Sequence, residues 1–422
     1  MARWSKTTLV GVMLTTVWLA APVRGESLKQ QLAGLFGGNQ SGSGLAVNVV
    51  GGQPFPLPLG AEVSSAISGA LTSARSSLPI ASGSGGFSYE FDPDLDLFVR
   101  VEQDLGPLFT ERVQTLGKRK LAISASYTYA AFDTYNGQSI TNFPVADTNI
   151  GQQLVAQPGN MLPGIADDVI STHLDLGLSL NVFTLFATYG VTDTIDVGMA
   201  LPLAWVSMST AAVATVRDPR GDSGGPFTLN RLQLIGSTVD ANNNQVAKDG
   251  FDSSSFGPSD LYLRAKWHFF DSRYVDAAGV FTLTLPTGGA DDFRGFNDPT
   301  GTPVLVLSKN LPFVSPHVNI GYAIRSEQDI SQFVWAAGVD LRLFPWLTGI
   351  VDFLGFNDTV RASDLGPDQN VYQYSLGVKL NPWRDLIWAV NFQMPLNQEG
   401  LRANVIYTTQ LQYTFSTPAV FE

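Results

Sequence analysis

Cysteine is absent from this 422-residue chain, which excludes disulfides, thiol catalysis and cysteine-type zinc or iron–sulfur sites. Charge is scarce. Asp, Glu, Lys and Arg make up 15% of the residues, against about 25% in ordinary soluble domains. Length alone would allow three domains of ~150 residues, but they would lack the residues that keep a surface wet. Histidine occurs three times, scattered, which is no metal cluster, and no phosphate-binding loop is present. Nothing calls for a cofactor. Beyond the N-terminus no apolar run reaches the roughly 18 residues of a membrane-spanning helix. With 25 Lys and Arg against 37 Asp and Glu, the formal charge is −12. That balance argues against a nucleic-acid partner, whose phosphates require clustered cations.

What is present begins with an export signal. Arg3 and Lys6 precede an apolar stretch from Leu9 to Ala21, and Val23 and Gly25 form a small-residue cleavage site before Glu26. This pattern is a secretory signal peptide over residues 1–25, too short and wrongly flanked for a spanning helix. Its removal takes away Arg3, Lys6 and Arg24 and shifts the formal charge from −12 to −15.

From residue 119 onward apolar residues recur at every second position, the period of a strand with one polar and one apolar face. Near the end, Tyr407, Leu411, Tyr413 and Phe415 share a face opposite Gln410 and Gln412; Leu263, Trp267 and Phe269 oppose Arg264, Lys266 and His268. Twelve strands are expected, at 119–132, 168–190, 193–206, 259–270, 277–286, 302–311, 315–323, 331–343, 347–356, 371–381, 386–395 and 402–415. Their connections alternate. Residues 191–192, 271–276, 312–314, 344–346 and 382–385 are short turns, whereas 133–167, 207–258, 287–301 and 357–370 are long and 324–330 and 396–401 intermediate. Short turns on one side and longer loops on the other describe an all-β, antiparallel, up-and-down transmembrane barrel. Most segments hold 9–14 residues, enough for the ~9–11 that a tilted strand needs to cross the hydrocarbon layer. A closed barrel also pairs every backbone group inside lipid. Aromatics gather near strand ends, at Trp205, Tyr322, Phe344, Trp346 and Trp383, as interfacial girdles would.

The terminal pattern Tyr407-x-Thr409-x-Leu411-x-Tyr413-x-Phe415 resembles the C-terminal signal strand of bacterial outer-membrane barrels, although residues 416–422 follow the usual terminal Phe. The resemblance implies the barrel assembly machinery and outer-membrane lipid as partners, and the outer membrane of a Gram-negative-type bacterium as location. Further stretches are Phe109-Thr-Glu-Arg-Val-Gln-Thr-Leu-Gly117, Phe186-Ala-Thr-Tyr-Gly-Val-Thr-Asp193, Asp196-Val-Gly198, Ser259-Asp-Leu-Tyr-Leu-Arg-Ala-Lys266 and Leu285-Pro-Thr-Gly288. Together they resemble the meta-pathway phenol degradation-like family of outer-membrane proteins, regarded as transporters and distantly like the fatty-acid and toluene channels. The family name records a gene neighbourhood and does not certify phenol as cargo.

With the apolar face towards lipid, the lumen is expected to receive His173, Asp175, Asp260, Arg264, Lys266, His268, His317, Asp340, Arg342, Lys379 and Gln393. Both signs occur, which fits a mixed channel or a self-paired core; the cations are more readily partners for the Asp residues than an anion site. Residues 26–118 contain a helix at Ser27–Phe36, a small-residue helix at Gly60–Leu78 and a hairpin around Asp92-Pro93-Asp94. Three readings of this segment stay open: a plug in the lumen, two more wall strands making fourteen, or a disordered periplasmic extension. The predicted outer loops are acidic, a solvated rim more readily than a divalent-cation site.

One motif points elsewhere. Gly221-Asp222-Ser223-Gly224-Gly225-Pro226 reproduces the sequence around the nucleophile of trypsin-like proteases. Its chemistry needs a His base oriented by a buried Asp, and the only upstream His, His173, lies 50 residues before Ser223 in an unrelated context. A glycine-rich turn is the better account, and no enzyme is expected. The expected function is passive uptake of small, hydrophobic or aromatic compounds across the outer membrane. A general porin, an outer-membrane lipid or ester hydrolase and a poreless structural barrel are the alternatives.

Overall fold

The alternating residues form twelve antiparallel strands that close on themselves. In the computed structural model these are β1 (Lys120–Tyr135), β2 (Val169–Gly190), β3 (Ile195–Arg217), β4 (Leu261–Phe270), β5 (Asp276–Leu285), β6 (Thr300–Ser308), β7 (Val314–Ala323), β8 (Ile330–Phe344), β9 (Leu347–Arg361), β10 (Asn370–Trp383), β11 (Leu386–Pro395) and β12 (Leu401–Ser416). Each pairs with its successor, and β12 pairs back onto β1 between Ser416↔Lys120 and Leu401↔Tyr135. The structure describes residues 25–35, 45–48, 55–56, 60–78, 89–92, 97–100, 105–148, 169–217, 233–234, 237–240, 244–325, 330–361, 368–383 and 385–416. The predicted signal peptide up to residue 24, the Gly221–Pro226 motif and residues 417–422 lie outside them.

The outer face carries a belt of exposed apolar side chains, among them Ile123, Leu185, Met199, Phe281, Leu305 and Leu376. At the short-turn end the belt finishes in aromatics: Phe344 stacks on Trp346 with ring centroids 5.5 Å apart and planes at 8°, and Trp267 leans on Phe269 at 5.4 Å. Apolar residues placed towards water in this density would cost too much in a soluble protein; facing hydrocarbon, they are the source of stability.

The wall is taller than the membrane on one side. β2 and β3 pair continuously from Gly190↔Asp196 to Val169↔Arg217, 22 residues that would span about 70 Å at ~3.3 Å each. The hydrocarbon layer is about 30 Å. Here the expected loop at 207–258 is corrected: β3 runs on to Arg217, and Gln245–Pro258 pairs with it from Gln245↔Val216 to Pro258↔Leu203, continuing the wall above β4. Gly250 and the run Ser253-Ser254-Ser255 in that strand read as loop because strand propensity is low there; pairing to an already formed neighbour overrides it.

Within this tall sector the inside is apolar. Leu174, Leu176, Leu178 and Leu180 of β2 and Val206, Met208, Ala212 and Ala214 of β3 pack in one cluster with the N-terminal helices α1 (Leu28–Gly34) and α2 (Gly60–Ser76). α1 starts at Ser27 through a reciprocal capping box with Gln30, which satisfies two otherwise orphan donors. The hairpin Tyr89–Asp92/Leu97–Arg100 forms its own two-stranded sheet. Among the described residues the closed ring therefore has twelve strands, and the fourteen-strand alternative falls.

Candidate functional site

Residues 105–118 have no helix or strand and cross the interior of the ring from wall to wall. A backbone without secondary structure must find partners for every buried N–H and C=O, and here the barrel's inward side chains supply them. Leu105 N–H donates to Thr348 Oγ1 at 3.0 Å, and Lys379 Nζ donates to the carbonyls of Leu105 at 3.2 Å and Pro107 at 2.6 Å. Asn319 completes a two-way pair with Glu111: its Oδ1 accepts from the Glu111 N–H at 2.7 Å and its Nδ2 donates to the Glu111 carbonyl at 3.0 Å. Val113 N–H donates to Ser308 Oγ at 3.0 Å, Lys266 Nζ to the Gln114 carbonyl at 2.5 Å, and Leu116 N–H to Asp196 Oδ2 at 2.8 Å. Seven strands thus hold one thread: β3, β4, β6, β7, β9 and β10 through these side chains, and β2 where Arg119 N–H meets the Gly190 carbonyl at 2.9 Å. A Cβ on Gly190 would stand 1.8 Å from the Gly117 carbonyl oxygen, so the thread leaves the lumen through a space only glycine provides.

Charges in the interior are matched. The Glu111 carboxylate lies 2.7 Å from Arg264 Nη1 and 3.6 Å from Lys266 Nζ. Thr110 Oγ1 donates to Asp352 Oδ1 at 3.1 Å, and the same oxygen lies 3.1 Å from His317 Nε2. His317 Nδ1 faces the Ser315 carbonyl at 3.2 Å and Asp340 Oδ2 at 3.8 Å. A carbonyl can only accept, so Nδ1 carries a proton; the ring is then a cation unless the proton shared with Asp352 belongs to the carboxyl group.

Above the thread lies a cavity of about 290 Å³. Phe109 and Glu111 form its floor, and Phe186, Tyr262, Val304 and Leu354 stand in its wall. Its roof is Phe296, whose ring is held between the guanidinium groups of Arg75 at 4.8 Å and Arg325 at 4.4 Å. Fully buried Asp260 fixes this roof by accepting from the N–H groups of Gly288 at 3.0 Å and Phe296 at 2.9 Å, with Arg75 Nη2 at 3.5 Å.

Of the residues expected in the lumen, Asp260, Lys266, His317, Asp340, Lys379 and Gln393 are buried inside, and Arg264, His268 and Arg342 are half-buried on the same face. Asp260 serves the roof, and Arg264, Lys266 and Lys379 serve the thread. Gln393 is buried with neither side-chain polar atom hydrogen-bonded among the described residues, and His268 Nε2 is likewise unpartnered. His173 and Asp175 are corrected. They stand on the outer face of β2, opposite the buried Leu174 and Leu176, and the Asp175 carboxylate accepts from the Asn142 N–H. In the tall sector water lies outside and helices inside, so the apolar face turns inward. Tyr407, Leu411 and Tyr413 of the predicted assembly signal are exposed on the outer belt, and Phe415 leans on Tyr413 with centroids 6.1 Å apart. Glu111, Thr348 and Ser308 escaped the sequence reading as anchors. The last two occupy the polar phase of their strands, which is the signal that marks them.

No protein-family model matches the chain, and no curated protein matches it significantly. Among solved structures it is similar to an outer membrane channel from Pseudomonas putida F1, at 11% identity over 72% of this chain and 98% of that one with a TM-score of 0.44. It is also similar to a FadL homologue from Pseudomonas aeruginosa (11% identity, 72% and 91% covered, TM-score 0.31) and to the Ralstonia pickettii toluene transporter TbuX (10%, 71% and 90%, TM-score 0.34). The Phe109–Gly117 stretch bonds to Asp196, Arg264 and Lys266, and the Gly288 N–H donates to Asp260.

Proposed function

We propose that this chain is an outer-membrane channel for passive uptake of small, hydrophobic or aromatic compounds, with residues 105–118 as its plug and the signal peptide as its export route. The observation that carries this reading is the 290 Å³ cavity between thread and roof, walled largely by apolar and aromatic side chains inside a ring whose thread-binding positions are polar. A compartment of that composition is wasted on a structural barrel and suits a molecule that gains by leaving water. A general porin would keep a wide aqueous lumen, whereas the thread here occupies it. A hydrolase using His173 finds no support, because that ring faces out of the barrel.

The test is flux into proteoliposomes. Toluene uptake is expected to exceed the protein-free rate while glucose-driven swelling does not. Equal acceleration of both would favour the porin, and ester turnover lost on Ser223→Ala would favour the hydrolase.

A further inference from the structure

A second cavity, of about 140 Å³, lies above the outer belt between α2 and the tall wall. Ala66, Ile67 and Ala70 of α2 form one side, and Leu174 and Leu176 of β2 face them. Tyr135 and Phe143 meet edge to face, with centroids 5.9 Å apart and planes at 75°, and both rings contribute to the lining. Among the described lining residues the only polar side-chain atom is the Tyr135 hydroxyl. The contrast with the inner cavity is chemical: that one has Arg75, Arg264, Arg325 and Glu111 in its lining, and this one has no charge among its described lining residues.

We infer that this outer cavity is a binding site for one uncharged, single-ring hydrocarbon. Volume and lining both select that class. An engineered cavity of about 150 Å³ lined by aliphatic and aromatic side chains stays dry and takes up benzene. Water entering the outer cavity would find too few partners for its hydrogen bonds, and a carboxylate or ammonium would be stripped of its hydration without a counter-charge. Two fused rings would leave the space almost no clearance. The aromatic edge of Tyr135–Phe143 offers the offset contacts that an incoming ring prefers. Ala66 is exposed and Ala70 buried, so the space deepens from the rim of α2 inwards. The site's purpose, capture of cargo ahead of the inner cavity, rests on the channel reading; the binding itself does not.

The experiment uses the full chain in lipid nanodiscs, with fluorobenzene as probe and ¹⁹F NMR as readout. Wild type is expected to give a saturable bound signal that 4-fluorobenzoate does not displace. Ala70→Phe, which fills the outer space, is expected to abolish one saturable bound resonance, and Val304→Phe, which narrows the inner cavity and not the outer one, to keep it. Phe143→Ala enlarges the site and is expected to gain binding of 1-fluoronaphthalene, a result that needs a folded pocket and so decides the matter if Ala70→Phe fails to fold. The proposal is overturned by absence of saturable binding in wild type, by survival of every bound resonance in folded Ala70→Phe, by loss in Val304→Phe of the resonance that Ala70→Phe removes, or by failure of Phe143→Ala to admit the larger ring. Toluene flux separates the two readings: binding without flux removes the channel and leaves the site, whereas flux without binding removes the site and leaves the channel.

Discussion

Lys379 holds the carbonyl oxygen of Pro107 at 2.6 Å from its Nζ, with both residues deep inside the barrel. A fully buried ammonium on β10 is thereby committed to the backbone of the thread and serves neither solvent nor cargo. Hydrogen bonds from a charged donor are worth ~1.5–3 kcal/mol each.

Lys379→Met is expected to remove two such bonds, to Leu105 and Pro107, while keeping the volume. The barrel retains its heat-modifiable migration on gels, because the ring of strands is untouched. Brief, irregular conductance openings should appear in planar bilayers where wild type is quiet. Unchanged conductance would show that the thread does not obstruct the lumen.

Glu111→Gln leaves Arg264 and Lys266 facing each other without their shared carboxylate. Breaking a buried pair by removing one partner costs about 3–5 kcal/mol, and the lower end applies because the Arg264 side chain is a quarter exposed to the cavity. Urea unfolding from detergent should reveal the loss. Any residual conductance should shift towards anions, read as a change in reversal potential under a KCl gradient.

Gly190→Ala tests the exit of the thread. The added methyl would overlap the Gly117 carbonyl, a backbone atom that cannot rotate away. Overpacking typically costs ~1–3 kcal/mol, and a backbone clash lies at the upper end. The expected outcome is a reduced yield of folded barrel in the membrane; Gly177→Ala, where the nearest atom is at 3.5 Å, should assemble normally.

On β2 two neighbouring positions should behave oppositely. His173→Ala, on the watered outer face, is expected to change stability by less than about 0.5 kcal/mol. Leu176→Asp places a charge among α2 and the inner leucines and should prevent the folded state from accumulating. Equal effects at both sites would mean that the strand is turned the other way.

This last pair also explains which parts of the site were legible in the sequence. In β4 the alternation of Leu263, Trp267 and Phe269 against Arg264, Lys266 and His268 marks inside and outside correctly, because lipid surrounds it. β2 keeps one strand phase throughout, yet its apolar parity changes. Below Asn181, Phe183 and Leu185 are outside; above it, Leu174 to Leu180 are inside. Periodicity reports which residues share a face and is silent on what that face meets. The partner that inverts the meaning, the α1–α2 pair, is remote in sequence. The thread was illegible for a different reason: with neither a 2.0 nor a 3.6 period in residues 105–118, only its partners on the wall define its path.

The thread has a consequence for how the molecule comes into being. Chain order runs α1, α2, thread, β1, and the ring is complete only when β12 reaches β1, the last strand meeting the first. A helix with its side chains is about 10–12 Å across, and two of them sit at the far end of an interior that the thread crosses. They cannot be drawn through a finished ring. The seam between β1 and β12 must stay open until the preceding chain has been laid inside, so the C-terminal strand acts as the closing stitch over cargo that is part of the same polypeptide. Errors in that order would yield a barrel with correct strands and an empty centre.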